Sequence, residues 1–472
     1  MNGQENIFAS VGGALGAGAT QSPAPSAPPP TGLEDDAPPP YCTLPNSPRE
    51  VGVSQWLAPG AAGVAGYIPR GVRLGYMDFV PRLVKKKLLK EDEYETFSVL
   101  IQRANNWLEE HDGLQLVSCE TITWTSVTKK EIFSDSTHFT KTNRSYDATY
   151  IFRGLRLWYF MDVVPSPEHQ KGNMPVIQCQ TFTARPSERF DQLVIRVNEQ
   201  LHSNRLPGQI LSVETIRITC LTDNSRAVNP ELCCWKEKAE KKQIVFALRM
   251  YSTLAPVESC ETIGFQDFVP VKNQRNKDNK GYELFSELME RGARWIVRQQ
   301  GVRFTNMQTL PVKIKKKGPF EERCVFTEHQ GEEPTNYLSI LRVFFVVQDA
   351  GGAASANFSA ARLTYRTFVP AQVNTATAST PLEFEDTRTL MDRINQWLQI
   401  TGACLFSMET VPSRLTTGGL QLLGPEATFQ PHGSGRGLIE KWLYNIRIYL
   451  DGDYVEPPGA VSLVMPSMAR LT

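Results

Sequence analysis

The sequence predicts an α+β protein: a disordered N-terminal tail followed by four strand–helix–strand–strand repeats, packed as sheets with a helix layer. Three observations carry this. Residues 1–66 are dominated by Pro, Ala, Gly and Ser with few large apolar side chains, and such a segment cannot bury enough surface to offset its ordering entropy. Beyond it, "GYMDFVPR" around Phe79 returns as "GFQDFVPV" around Phe268 and "TYRTFVPA" around Phe368, with a weaker version, "QTFTARPS", between them. Each copy is followed by the same succession of patterns, at intervals of roughly 85 to 105 residues.

The first strand of each repeat is the segment just quoted. Next come "FSVLIQRANNWL", "FDQLVIRVNEQL", "FSELMERGARWI" and "TRTLMDRINQWL", whose apolar residues at three- and four-residue spacing predict a helix. A β-branched or sulfur-bearing strand follows: "LVSCETI", "LSVETI", "FTNMQTL", "LFSMETV". The last strand is long and apolar: "IFRGLRLWYF", "VFALRMY", "LSILRVFFVV", "LYNIRIYL". Glu120, Glu214, Gln308 and Glu409 hold one register on the second strand, and Arg156, Arg249, Arg342 and Arg447 hold one on the third. Alternation along a strand turns Cys119, Val213, Met307 and Met408 away from the Glu/Gln set. A hairpin of strands two and three would set Glu opposite Arg, a structural pairing worth about 0.2–1 kcal/mol; a ring of ligand-reading charges is the functional alternative. Trp107, Trp295 and Trp397 on the helices are assigned to the core. The expected organisation is a tail over 1–66 and repeats over 67–168, 169–257, 258–352 and 353–472, which could close as a ring or form two pairs.

The formal charge of the 472 residues is zero, which argues against a whole-chain nucleic-acid binder. Within 1–66, however, Glu5, Glu34, Asp35, Asp36 and Glu50 face Arg49 alone. Nine cysteines without regular spacing read as reduced thiols of an intracellular protein. No secretory signal or bilayer-spanning stretch is visible. No HExxH, paired Cys/His spacing, phosphate loop or GxSxG turn occurs, and the six histidines do not recur at matching positions. The expectation is a non-enzymatic protein without cofactor or metal. Lysine runs are more informative. Lys85, Lys86 and Lys87 precede the first helix, and Lys315, Lys316 and Lys317 follow the second strand of repeat 3. They predict loop-tip contacts with an anionic membrane surface, at about 1 kcal/mol per lysine. RNA ranks below membrane, because the runs lack interleaved aromatics.

The tail carries two short motifs, Pro25-Ser26-Ala27-Pro28 and Pro38-Pro39-Pro40-Tyr41. Proline fixes φ, so an extended bound form costs little further entropy, and aromatic-lined grooves grip the rings. Together they resemble the late-domain region of enveloped-virus matrix and Gag proteins, and of some cellular endosomal adaptors. The resemblance covers about twenty residues. It implies that Pro25, Ser26, Ala27 and Pro28 bind the UEV domain of an ESCRT-I subunit. It also implies that Pro38, Pro39 and Tyr41 bind WW domains of HECT ubiquitin ligases. The implied protein is a structural or adaptor component of budding or sorting, viral matrix-like in its most concrete version. It would be peripheral at the endosomal or plasma membrane, or in a virion, with self-assembly as a further property. A cellular cargo adaptor, and an enzyme or small-ligand protein with a pocket between repeats, are the alternatives.

Overall fold

The computed structural model describes residues 73–464 apart from 87–91, 112, 127–131, 143–148, 162–175, 221–227, 238–241, 260, 274–275, 300, 316–319, 330–334, 349–362, 375–382, 416–423, 433–438 and 453. The tail over 1–66 lies outside the described residues.

Four repeats of one pattern follow. Repeat 1 has β1 (Arg73–Phe79), a small hairpin of β2 (Leu83–Lys85) and β3 (Glu93–Tyr94), α1 (Phe97–Glu110), β4 (Gln115–Ser126), β5 (His138–Thr142) and β6 (Thr149–Met161). Repeat 2 has β7 (Ile177–Thr183), α2 (Phe190–Ser203), β8 (Leu206–Cys220), β9 (Cys234–Glu237) and β10 (Lys242–Ser259). Repeat 3 has β11 (Glu261–Phe268), α3 (Phe285–Ile296), β12 (Val302–Lys313), β13 (Phe326–His329) and β14 (Thr335–Gln348). Repeat 4 has β15 (Leu363–Phe368), α4 (Thr387–Thr401), β16 (Cys404–Leu415), β17 (Phe429–His432), β18 (Ile439–Asp451) and a short α5 (Pro458–Val464). The predicted strand–helix–strand–strand order is present four times; β5, β9, β13 and β17 are additional.

Those additional strands decide the architecture. In each sheet the long last strand is central, flanked by the first and second strands of its own repeat, all antiparallel. The short strand instead crosses to the preceding repeat: β9 pairs β6, β13 pairs β10 and β17 pairs β14. β5 of repeat 1 then pairs β18 of repeat 4, with His138 opposite Leu443. Four identical steps return to the start, so the repeats close into a pseudo-fourfold ring, one of the two arrangements the sequence leaves open. The second strands β4, β8, β12 and β16 touch in cyclic order nearest the axis.

Each of the four large hydrophobic clusters spans a junction. Leu100, Ala104 and Leu108 of α1 pack with Leu155 and Leu157 of their own sheet and with Ile177, Leu211 and Tyr251 of repeat 2. The same holds for α2 with Ile263 and Phe344, α3 with Leu363 and Tyr449, and α4 with Leu74 and Trp158. A repeat alone would leave in water the apolar surface that it presents to its neighbour, at about 25 cal/mol per Å². Asparagines pin the junctions: Asn105, Asn198 and Asn395 each accept from and donate to the backbone of the next first strand, at Ile177, Ile263 and Leu74. Repeat 3 has Ala293 at that place.

The repeated motif now has a physical reading. Gly75 and Gly264 lie opposite Tyr159 and Phe345, and a Cβ there would sit 2.5 and 2.2 Å from the ring. Of the tryptophans assigned to the core, Trp397 is fully buried under Tyr454. Its indole N–H donates to Glu456 (2.8 Å). Trp107 and Trp295 are only half-buried among the described residues.

Candidate functional site

The strand registers set Glu120 opposite Arg156, Glu214 opposite Arg249, Gln308 opposite Arg342 and Glu409 opposite Arg447, as the hairpin expectation required. The side chains, however, look mainly across the junctions. Glu214 accepts the backbone N–H of Thr121 (3.0 Å) and Gln308 that of Thr215 (2.8 Å). Glu409 accepts from Thr309 (2.6 Å), and Glu120 closes the circle on Thr410 (2.7 Å). The arginines follow the same rotation. Arg249, Arg342, Arg447 and Arg156 donate to the hydroxyls of Thr121, Thr215, Thr309 and Thr410 at 2.7–3.1 Å. The guanidiniums of Arg249, Arg342 and Arg447 lie 3.5–3.8 Å over Phe97, Phe190 and Phe285, which open the helices of the preceding repeats. Thr387 opens α4, and Arg156 lies over its own Tyr76 and Trp158 instead.

Small differences around this wheel are mutually consistent. Arg156 and Arg342 are gripped bidentately by Asp78 and Asp267 of the first strands. Arg249 and Arg447 meet the neutral Thr181 and Thr367 there. The residue two after each arginine donates to the local carboxylate where it can: Trp158 to Glu120, Tyr251 to Glu214 and Tyr449 to Glu409. Phe344 has no donor, and its neighbour is Gln308 rather than a glutamate. Repeats 2, 3 and 4 thus set one carboxylate against one guanidinium, while repeat 1 sets Asp78 and Glu120 against Arg156. Burial, only partly offset by Arg156, pushes Glu120 up to about 7. Burial likewise raises Glu214. The wheel ties repeats together; its charges are occupied by protein partners.

Comparison with protein-family models, curated proteins and solved structures finds no match to this chain.

The sequence-predicted docking residues Pro25, Ser26, Ala27, Pro28, Pro38, Pro39 and Tyr41 lie outside the described residues, as do Lys87, Lys316 and Lys317. Lys85, Lys86 and Lys315 are described and exposed. Lys315 is paired with Glu321 at 2.6 Å, which raises its pKa. In every sheet the first and second strands both oppose the third, so the loops after them leave from one edge. Lys85 and Lys86 follow β1 in repeat 1, and Lys315 follows β12 in repeat 3.

Among the described residues no group of His, Cys, Asp and Glu is arranged to hold a metal ion, and no helix is long and apolar enough to cross a membrane. Burial pushes the Cys179 and Cys233 thiols up to about 12, which keeps them protonated.

Two features escaped the sequence reading. One is a fourfold clamp at the loop between first strand and helix: Arg103–Glu95, Arg196–Glu188, Arg291–Glu283 and Arg393–Glu385. Its signal is present as a glutamate two residues before each helix. The other is a cavity of about 610 Å³ between repeats 2 and 3, bordered by Ala184, Ser187, Val245, Phe320 and Phe326. Its signal is the short connection "ARPSER" where the other repeats have a long one.

Proposed function

We propose that this chain is a non-enzymatic structural or adaptor protein. Its tail recruits WW-domain ubiquitin ligases through Pro38, Pro39 and Tyr41, and ESCRT-I through Pro25–Pro28, for budding or sorting at a membrane. The observation that carries this is the pair of ligand motifs within one Pro-rich acidic tail. The ring supports it as a platform: its buried charges are consumed in joining repeats, which suits a body that positions other parts. The exposed lysines add electrostatic attraction to an anionic leaflet, with Lys85 and Lys86 contributing more than Lys315, which is ion-paired. A viral matrix-like protein and a cellular endosomal adaptor both fit this description.

The full chain should capture an isolated WW domain and an isolated UEV domain. Tyr41→Ala abolishes the first capture and Pro25→Leu the second, each leaving thermal unfolding unchanged. The double variant should sharply lower release of vesicles or particles from expressing cells; unchanged release rejects the proposal.

A further inference from the structure

The cavity between repeats 2 and 3 has a structural cause. In all four repeats the loop between first strand and helix is cinched at its neck by the clamp glutamate. Glu95 accepts the backbone N–H of Arg82, Glu283 that of Val271 and Glu385 that of Ala371, across 13, 12 and 14 residues. Glu188 accepts that of Arg185 across only 3 residues. The neck is intact, and the excursion above it is missing from repeat 2 alone.

What the excursion does is visible in the other three. The residue just before the clamp glutamate is aromatic, and it comes down on the junction with the next repeat. Tyr282 stacks parallel on Phe429 of β17 (5.9 Å) and Phe384 lies against His138 of β5 (5.7 Å). Tyr94 packs on Phe152 in a cluster that includes Cys234 of β9. Sheet register makes these β-strand residues equivalent: His138, Cys234, Phe326 and Phe429 face Leu443, Phe152, Val245 and Leu338, each four residues before the arginine of the wheel. In repeat 2 the aromatic is replaced by Ser187, in the left-handed region at φ +65°. Its counterpart Phe326 is left 41% exposed at the cavity wall. Beneath it the small apolar cluster Ile216, Ile218 and Ala247 is packed against by Val228, whereas its equivalents receive Val80 and Tyr94 in repeat 1 and Val269 in repeat 3 from the segment after the first strand.

We propose that this cleft is a docking site for an extended segment of another protein that presents a tyrosine or phenylalanine to Phe326. The occupant follows from the sister junctions: the space between clamp neck and crossing strand is one the fold fills three times with polypeptide led by an aromatic ring. An offset-stacked or edge-to-face aromatic pair adds affinity beyond the area it buries. Such a segment restores at the second junction what the shortened loop removes. The site is independent of the tail motifs and goes beyond the adaptor reading by giving the ring its own partner surface.

The test is a screen of the full chain against displayed random linear dodecamer peptides. Enriched peptides should share a Tyr or Phe whose replacement by Ala weakens binding about tenfold or more, as does Phe326→Ala on the protein. A second variant keeps the test open should Phe326→Ala misfold. It replaces Pro186 and Ser187 with residues 272–282 of repeat 3, which fills the cleft with the chain's own hairpin and should abolish binding. Tyr41→Ala in the tail should leave binding unchanged, which separates this site from the proposed tail function. Peptides without a shared aromatic, or binding indifferent to both the Phe326 and the hairpin variants, overturns the proposal. A dimer in light scattering that the hairpin variant dissolves also overturns it, by assigning the cleft to a second copy of the chain.

Discussion

Glu120 shows how one residue carries the electrostatics of the ring. It is the carboxylate in excess, since the guanidinium opposite it is already held by Asp78 at 2.7 Å on both oxygens. The groups that face it are Arg156, Trp158, Thr410 and, at longer range, Glu214. Its folded pKa of about 7 lies above the ordinary 4.5, so the folded state holds this proton more tightly than the unfolded chain. The contribution to stability is therefore full below pH 4.5 and is lost as pH rises through 7. The side chain keeps some contact with water, which limits the effect to about 1–2 kcal/mol. Gln308 shows the neutral solution already in use: its amide accepts from Thr215 N–H and donates to Thr215 O. Glu120→Gln should flatten the decline in thermal midpoint between pH 5 and pH 8 and raise stability at pH 8. A slope unchanged from the wild type would place the titrating group elsewhere.

At the scale of elements, the four helices and their flanking strands were legible because their patterns are long. A 14-residue helix such as α1 repeats its apolar spacing several times, and a 13-residue strand such as β6 is nearly continuous in buried residues. The crossing strands were not legible. β9, β13 and β17 are four residues each, too short for alternation to register, and what defines them is a partner in another repeat. The wheel was half legible for the same reason. The in-register Glu and Arg sets were visible as periodic residues, but which threonine each would meet depends on closure. The asparagine pins belong to this class and give a direct measurement. Asn395→Ala removes two hydrogen bonds to Leu74 (2.7 and 2.9 Å) and leaves its strand backbone unmatched. A loss of about 1–3 kcal/mol in denaturant unfolding is expected. No loss would mean that the seam between repeats 4 and 1 is open in solution.

The four repeats form a ring whose junctions are similar but not interchangeable. Glu231 and Glu426 accept from the first helical N–H groups at Ser98 and Ser286, favourable placements for a carboxylate at a helix start. Asp135 serves α4 through its carbonyl and through an ion pair with Arg388 (3.5 Å). At the junction of repeats 2 and 3 the signs are exchanged: Arg323 stands where the acid is, and Asp191 of α2 faces it at 3.8 Å. A separately produced half with repeats 1 and 2 would therefore bring Asp191 against Asp135 if it paired with itself. The other half would bring Arg388 against Arg323. Mixed halves should form a one-to-one complex over either homodimer by about 1–2 kcal/mol, read by native mass spectrometry; a statistical mixture would show that these charges do not choose partners. On the same scale, the proposed membrane contact through exposed lysines predicts sedimentation with phosphatidylserine vesicles that weakens with salt. Lys85→Glu together with Lys86→Glu should reduce it, and equal binding to neutral vesicles would count against an electrostatic membrane contact.

The crossing strand β5 has a consequence for how the chain reaches its native state. Its sheet partner is β18, and Leu74 at the other end of the same repeat waits for Asn395, 321 residues further along. During synthesis the earliest quarter of the body therefore leaves the ribosome with an unpaired edge and an uncovered apolar flank, and keeps both until the last quarter emerges. Such distant contacts slow folding and prolong the time in which nascent chains are vulnerable to association. Chaperone dependence should consequently fall on the final closing event rather than on any individual repeat.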